Sequence, residues 1–372
     1  MSSNEETAEK FFEFCVSENL SKSRIDKHRH ALRNICKWLE VGFKEATRED
    51  IERLVAKINL SDYADWTKRD HRKTLKKFYK WLEGEGEEFP KKVRWVKLGQ
   101  INNKKTAEDM LTQEEVKRMI ENASNIRDKA IISILYESGC RIGELVGLKI
   151  KSVVSKDSNL VHMQVSGKTG PRPIPLVSSV PYLSTWINNH PKRNDPEAQL
   201  FVSVGTKNNG KPIKKDVISK MLRIVASKAN VKKKVNPHNF RHSRASYLAN
   251  KLKEPQMRMF FGWAKGSNMP GEYVHLSGRD IDDAILEVNG IKKPEADASE
   301  KTLATKTCPR CNIVNEATAT FCSKCMLPLT EQAMLEYEER MNELLGFLSK
   351  KEILQKLIEE KIEKKLREMG VN

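Results

Sequence analysis

The chain has 372 residues, more than one hydrophobic core usually organises, and its 67 Lys and Arg against 50 Asp and Glu leave a formal net charge of +17. The length predicts two or three domains, and a basic excess of this size predicts a polyanionic partner such as nucleic acid. Mean hydropathy of −0.60, no apolar run near the roughly 20 residues that span a bilayer, and the polar start MSSNEETAEK argue against a membrane or secreted protein. The expectation is a soluble, cytoplasmic, nucleoid-associated protein.

Residues 1–97 read as all-helical. Four segments, TAEKFFEFCVSENL, SKSRIDKHRHALRNICKWLE, TREDIERLVAKINL and DWTKRDHRKTLKKFYKWLE, place apolar residues at helical spacing with Ser or Thr available near their starts. The last carries Lys68, Arg69, Arg72, Lys73, Lys76, Lys77 and Lys80 against the single acid Asp70, an excess of one sign that predicts a phosphate-contacting face. Residues 98–110 lose periodicity and form a polar linker. A second domain over 111–292 opens on Thr112-Gln-Glu-Glu115, a capping-box pattern. Helices follow through RDKAIISILYESG, then VHMQV and RPIPL flank a Ser-Gly-Lys-Thr-Gly turn and predict a short β-hairpin. Helices resume through VISKMLRIVASKA, FRHSRASYLANKL and DIDDAILEVNG. Residues 293–306 form a second linker, 307–330 a cysteine module, and 331–372 a long charged helix. The fold class is therefore mainly α with a small β-sheet, an α+β arrangement.

The chemistry lies in an ordered set of side chains: Arg141 in CRIGELVGL, Lys168 in SGKTGPRPIPL, His238 and Arg241 in HNFRH, Trp263 in FGW, and Tyr273 in GEYVHL. Guanidinium groups clamp the extra negative charge that builds on a phosphodiester under attack, a lysine or histidine can protonate a leaving oxygen, and a phenol can attack phosphorus. Trp263 can donate one hydrogen bond through its indole N–H but cannot titrate, so it either contacts phosphate or packs in the core. Tyr273 must lose a proton whose reference pKa is about 10, which calls for surrounding cations.

With this order and spacing the chain resembles the tyrosine recombinase (phage integrase) family over roughly residues 5–292. The resemblance implies a helical, SAM-like core-binding domain that grips DNA and a catalytic domain in which Arg141 and Arg241 clamp the scissile phosphate. It further implies that His238 contacts that phosphate or assists proton transfer, and that Lys168 protonates the leaving 5′-hydroxyl, with Lys211 the weaker substitute. Trp263 stands where the family commonly has histidine, Glu144 orients, and His242 is a structural partner within its helix. Arg172, beside Lys168, joins the DNA-binding set. Tyr273 would form a 3′-phosphotyrosyl link that conserves the bond energy, so neither ATP nor a catalytic divalent metal is expected. Dimers would bind the site and tetramers exchange strands through a Holliday junction. Two other readings stay open: a type IB topoisomerase-like enzyme that relaxes DNA, and a non-catalytic DNA-binding protein of the same fold.

Cys308-x₂-Cys311-x₁₀-Cys322-x₂-Cys325 supplies four thiolates at the spacing of a zinc ribbon, so a structural, non-catalytic Zn²⁺ is expected, with rubredoxin-like iron the alternative. Its C-terminal position resembles integrase-like proteins of archaea and their mobile elements. Cys15, Cys36 and Cys140 lie among apolar neighbours and read as buried thiols in a reducing compartment. In the tail, apolar positions from Met334 and Tyr337 to Leu366 repeat every three or four residues, with a break expected around 346–351. That pattern fits either an interrupted coiled coil with another protomer or packing on the chain's own domains. Its 8 basic and 10 acidic residues make it a poor DNA-binding element.

Overall fold

The computed structural model describes residues 3–84, 88–99, 106–156, 160–167, 170–276, 289 and 303–368. It divides into two compact units, Met1–Lys104 and Lys105–Asn372. Lys168, most of the DIDDAILEVNG segment and residues 293–302 lie outside the described residues.

In the first unit, α1 (Ser3–Ser17), α2 (Lys22–Trp38), α3 (Arg48–Leu60) and α4 (Asp65–Glu83) occupy the four predicted segments, and a single turn, α5 (Lys91–Arg94), follows. Thr47 caps α3 with Asp50 as its reciprocal partner, whereas Ser21 precedes α2 without a side-chain cap bond. The apolar stripes converge on Phe11, Leu32, Ile35, Ile51, Leu75 and Phe78, all buried. Fixing α4 against α2 orients its basic face: His28 Nδ1 and Thr74 Oγ1 share a hydrogen bond of 2.9 Å across the two helices.

The second unit is built around α7 (Ile126–Ser138), apolar on nearly every side and buried along almost its whole length. It is preceded by α6 (Gln113–Glu121), whose predicted capping box is present: Thr112 N–H donates to Glu115 at 2.8 Å and Glu115 N–H to Thr112 Oγ1 at 3.2 Å. Helix α8 (Ile142–Val146) follows. Next comes a three-stranded antiparallel sheet of β1 (Val153–Ser155), β2 (Val161–Gly167) and β3 (Gly170–Leu176), with β2 in the centre. The predicted hairpin is β2–β3, closed by Gly167 opposite Gly170; β1 adds an edge. Then α9 (Val180–Asn188), α10 (Lys215–Lys228), α11 (Pro237–Ala249), α12 (Glu254–Phe261) and α13 (Met269–Leu276) complete the helical shell. Glu137 at the end of α7 accepts the N–H groups of Val177, Ser178 and Ser179 at 2.7 to 2.9 Å, tying α7 to the start of α9.

The cysteine module pairs β4 (Lys306–Thr307) with β5 (Val314–Asn315) and lies against α9, where Tyr182 Oη and Thr318 Oγ1 are 2.9 Å apart. The tail is one helix, α14 (Glu331–Glu368), 38 residues long. The helix runs on through Gly346, since one glycine costs a helix only about 1 kcal/mol, and the break in apolar spacing around 346–351 lies within it.

Candidate active site

The end of α12 organises the centre. Gly262 takes a left-handed φ of 59°, ending the helix and leaving its last carbonyls without intrahelical partners. Three consecutive carbonyls there each receive a different arginine. Phe260 O accepts from Arg172 Nε at 3.0 Å, Phe261 O from Arg241 Nη2 at 2.6 Å, and Gly262 O from Arg141 Nη2 at 3.3 Å. A second helix end helps: Gly139, at φ 55° after α7, offers its carbonyl to Arg241 Nη1 at 2.9 Å. Carbonyls at helix C-termini carry partial negative charge, so these positions suit cations.

Glu144 completes the frame from beneath. It accepts Arg172 Nη1 and Nη2 at 3.0 Å each, Arg141 Nη1 at 3.0 Å, and the Arg141 backbone N–H at 2.8 Å. Burial alone would push its carboxyl up; the bonds from Arg172 and Arg141 and the charge of Arg172 outweigh it and hold the pKa below the usual value. Arg241 is only 7% exposed, and burial, reinforced by the like charge of Arg141, brings its guanidinium down to about 10. It remains a cation at neutral pH.

Arg172, grouped with the DNA contacts on sequence grounds, thus has its guanidinium committed to Glu144 and Phe260. The signal was present in the strand: period-2 alternation places Arg172 on the same face of β3 as Ile174 and Leu176, which are buried. Arg172→Ala leaves Glu144 short of its bidentate partner, so a loss of about 3–5 kcal/mol is expected in urea unfolding of the chain. Lys73→Ala, at an exposed position, is expected to stay within about 0.5 kcal/mol. Equal, small losses for both would contradict a framework role for Arg172.

Tyr273 projects from α13 into a small core with Phe261, Met257 and Ala245, and is 2% exposed. Its ring stacks on Trp263 at 5.5 Å between centroids and 3° between planes, and Trp263 in turn stacks on Phe261 at 4.9 Å. The Arg241 guanidinium lies 5.8 Å from the Trp263 ring centroid. Burial pushes the Tyr273 phenol up, the Arg241 charge opposes it, and Glu272 adds to the rise. The phenol shares a very short hydrogen bond with His242 Nδ1. His242 is thus also a partner of Tyr273, across two helices. Nothing in the local sequence marks it, because the contact joins residues 31 positions apart.

His238 stands exposed on the first turn of α11, while Arg241, one turn on, is buried. With Ile142, Asp109, Ser219 and Lys234 it lines a hollow of about 470 Å³. Lys168 is outside the described residues. Lys211, in the Asn-Gly-Lys turn, donates nothing to this centre; its carbonyl accepts from Ser203 N–H at 2.8 Å.

On α4 the basic residues divide. Lys68 and Lys76 donate to the carbonyls of Asn59 and of Arg94 and Val96, Arg72 to Asn59 Oδ1 at 2.7 Å, and Lys77 to Glu18. Arg69 sits over Trp66. Lys73, Lys76, Lys77 and Lys80 line a hollow of about 370 Å³ floored by Phe89 and Leu98. The one-sided charge is thus partly absorbed by the unit's own acceptors.

The four module cysteines bring their Sγ atoms within 4.8 Å of one another, a group that can hold a metal ion. Both knuckles have the same turn: the residue after the second cysteine, Asn312 or Met326, has a left-handed φ of 57° or 58°, and its N–H donates to the carbonyl of the first cysteine. Among the described residues no helix is long and apolar enough to cross a membrane.

Comparison with known proteins places this geometry in a class. The Phage integrase family profile matches residues 109–279, and that of the phage integrase N-terminal SAM-like domain matches residues 8–86. The fold is shared with a lambda integrase tetramer bound to a Holliday junction (TM-score 0.60, 16% identity, 75% of this chain and 79% of that one). It is also shared with a lambda integrase dimer bound to a COC′ core site (TM-score 0.59, 14% identity, 79% of this chain and 80% of that one). In sequence the chain is 32% identical to tyrosine recombinase XerA of Pyrococcus furiosus over 246 residues, covering 65% of this chain and 80% of that protein. A tyrosine recombinase of Thermosipho africanus is 25% identical over 277 residues, 72% of this chain and 94% of the relative. The chain belongs to the tyrosine recombinase (phage integrase) family, enzymes that break and rejoin DNA.

Proposed function

We propose that the protein is a site-specific recombinase that cleaves duplex DNA through a 3′-phosphotyrosyl intermediate at Tyr273. The observation that carries this reading is Arg241, which is fixed by two helix-end carbonyls, faces the indole that stacks on Tyr273, and opposes the rise in the pKa of that phenol that burial imposes. A phosphate seated on Arg141 and Arg241 would meet preorganised donors, since Arg141 is already oriented by Glu144 and Gly262 O, and Arg241 by Gly139 O and Phe261 O. The Tyr273 oxygen attacks phosphorus and gives up its proton as the O–P bond forms. The bond to the 5′-oxygen breaks, and that oxygen leaves with a proton, for which Lys168 and His238 are the candidate donors. Trp263 then positions the tyrosine by stacking. The reverse attack by a 5′-hydroxyl of another strand rejoins DNA without ATP.

Binding would be shared between the α4 lysines and the catalytic unit, with two copies on a site and four at a Holliday junction. Incubation with fragmented DNA followed by SDS denaturation is expected to leave covalent adducts at a recurrent sequence, with the adducted peptide containing Tyr273. Mapping to any other residue rejects the assignment.

For the ribbon, an all-thiolate tetrad in tetrahedral reach fits Zn²⁺, with Asn315 Nδ2 donating to the Cys322 sulfur at 3.7 Å. No open ligand position remains for chemistry, so its role is structural. One zinc per purified chain is expected by elemental analysis. Cys322→Ser is expected to lose it and to expose the ribbon to proteolysis while the catalytic unit stays folded. Stoichiometric iron instead would point to the rubredoxin-like alternative.

A further inference from the structure

Helix α14 exposes a row of large apolar residues to solvent. Leu344, Ile358 and Ile362 are 55%, 52% and 53% exposed, and Leu354 and Leu357 are exposed beside them. A helix whose apolar side has no partner among the described residues is incompletely stabilised by them, because helices draw most of their stability from packing that side. Spacing and charge identify the occupant.

A heptad frame runs without interruption from Met334 through Tyr337, Met341, Leu344 and Leu348 to Ile358 and Ile362, with steps of three and four. Only two seam positions within it are polar, Lys351 and Gln355. In a parallel pair of copies Lys351 would face Lys351, two like charges on the seam. In an antiparallel pair with its two-fold axis at residue 353, Lys351 of each copy instead meets Gln355 of the other. The same axis sets Leu344 opposite Ile362 and Leu348 opposite Ile358.

Charge gives the same orientation independently. Residues 331–346 hold one basic and five acidic side chains, net −4, and residues 350–368 hold seven basic and five acidic, net +2. A parallel pair would set −4 against −4, whereas an antiparallel pair sets −4 against +2 at both ends. A bilayer of anionic lipid or a nucleic acid is a poor match for a tail whose total is −2.

We infer that α14 pairs antiparallel with α14 of a second copy, in a register set by Lys351 and Gln355, and dimerises the protein in the absence of DNA. This goes beyond the recombinase reading and does not depend on it. The 22 residues from Glu331 to the axis span about 33 Å, so the two ribbons would stand roughly 65 Å apart. A dimer made before DNA is met would raise the effective concentration of the second protomer at a site.

The test uses the zinc-loaded full chain without DNA, followed by sedimentation velocity. Wild type is expected to sediment at twice the chain mass. The double variant Leu344→Glu/Ile358→Glu should be a monomer at the same concentration, with zinc content and catalytic-unit melting unchanged because both sites are exposed. A photo-crosslinking amino acid at position 344 should then attach near Ile362 of the other copy. Those positions are 18 residues, about 27 Å, apart along one helix, out of reach within a chain. A monomeric wild type, or a dimer that survives the double variant, overturns the proposal. A crosslink from 344 to 344 overturns the antiparallel arrangement. Lys351→Leu/Gln355→Leu should still dimerise but yield both crosslinks, since the groups that fix orientation are gone. A single antiparallel product from that variant would remove the argument from the seam.

Discussion

Tyr273→Phe is expected to eliminate covalent capture of DNA altogether while leaving the catalytic unit folded and able to bind. The change deletes one oxygen and keeps the ring, so the parallel stack on Trp263 and the packing against Phe261 survive. What is lost structurally is the hydrogen bond to His242, worth about 0.5–1.5 kcal/mol. What is lost chemically is the attacking atom, and a rate cannot be partly retained without it. Electrophoretic shift with specific DNA should therefore change little, against complete loss of SDS-stable adducts and of recombined product. His242→Ala gives the complementary result: the proposed nucleophile remains, so adducts persist, but at a lower rate because the phenol loses its hydrogen-bond partner. Adducts from Tyr273→Phe at the wild-type level would show that another residue attacks.

Much of this architecture is legible in the sequence because it is set locally. Thr112 and Glu115 specify a helix start through bonds they make to each other's backbone, and VHMQV and RPIPL specify a hairpin by alternation alone. The four cysteines need only the knuckle turns at Asn312 and Met326 to converge. Arg141, Arg241 and Tyr273 can be proposed as a reacting set from their order, since chemistry restricts which side chains can clamp a phosphate and attack it.

The supports of those residues are not legible in the same way. Three carbonyls at the end of α12 hold three arginines that lie on α11, on β3 and just before α8, and no local pattern encodes that convergence. Its one trace is Gly262, the residue that lets the helix stop where those carbonyls are needed. Arg172 reads as exposed because it is an arginine in a basic chain, although its place in the strand alternation points inward, to Glu144 and Phe260 O. On α4, counting charges overstated the free surface, because Lys68, Arg72 and Lys76 are consumed by Asn59 and by the carbonyls of Arg94 and Val96. On α14, the long helix is legible from its charge and its apolar spacing of three and four.

The carbonyl frame makes Arg241→Lys the most informative change that conserves charge. An ammonium is a single donor centre on a flexible stem, whereas Arg241 reaches Gly139 O and Phe261 O with separate nitrogens and retains N–H groups for a phosphate. Lysine can satisfy one of those carbonyls at a time and cannot do so while also directing two parallel donors at a transition state. The expected result is a cleavage rate on a half-site substrate reduced by about 10²–10³-fold, the scale of removing one preorganised oxyanion donor. Affinity for intact DNA should change little, because the charge is kept and α4 contributes elsewhere. The phenol should also respond, since Arg241 opposes the rise in its pKa that burial imposes. With a less fixed cation beside it, the Tyr273 pKa should rise further; at any pH well below both pKa values the phenolate fractions of the two proteins keep a fixed ratio, so this adds a pH-independent factor to the deficit. A near-wild-type rate would mean that charge alone, without the fixed guanidinium, suffices at this position.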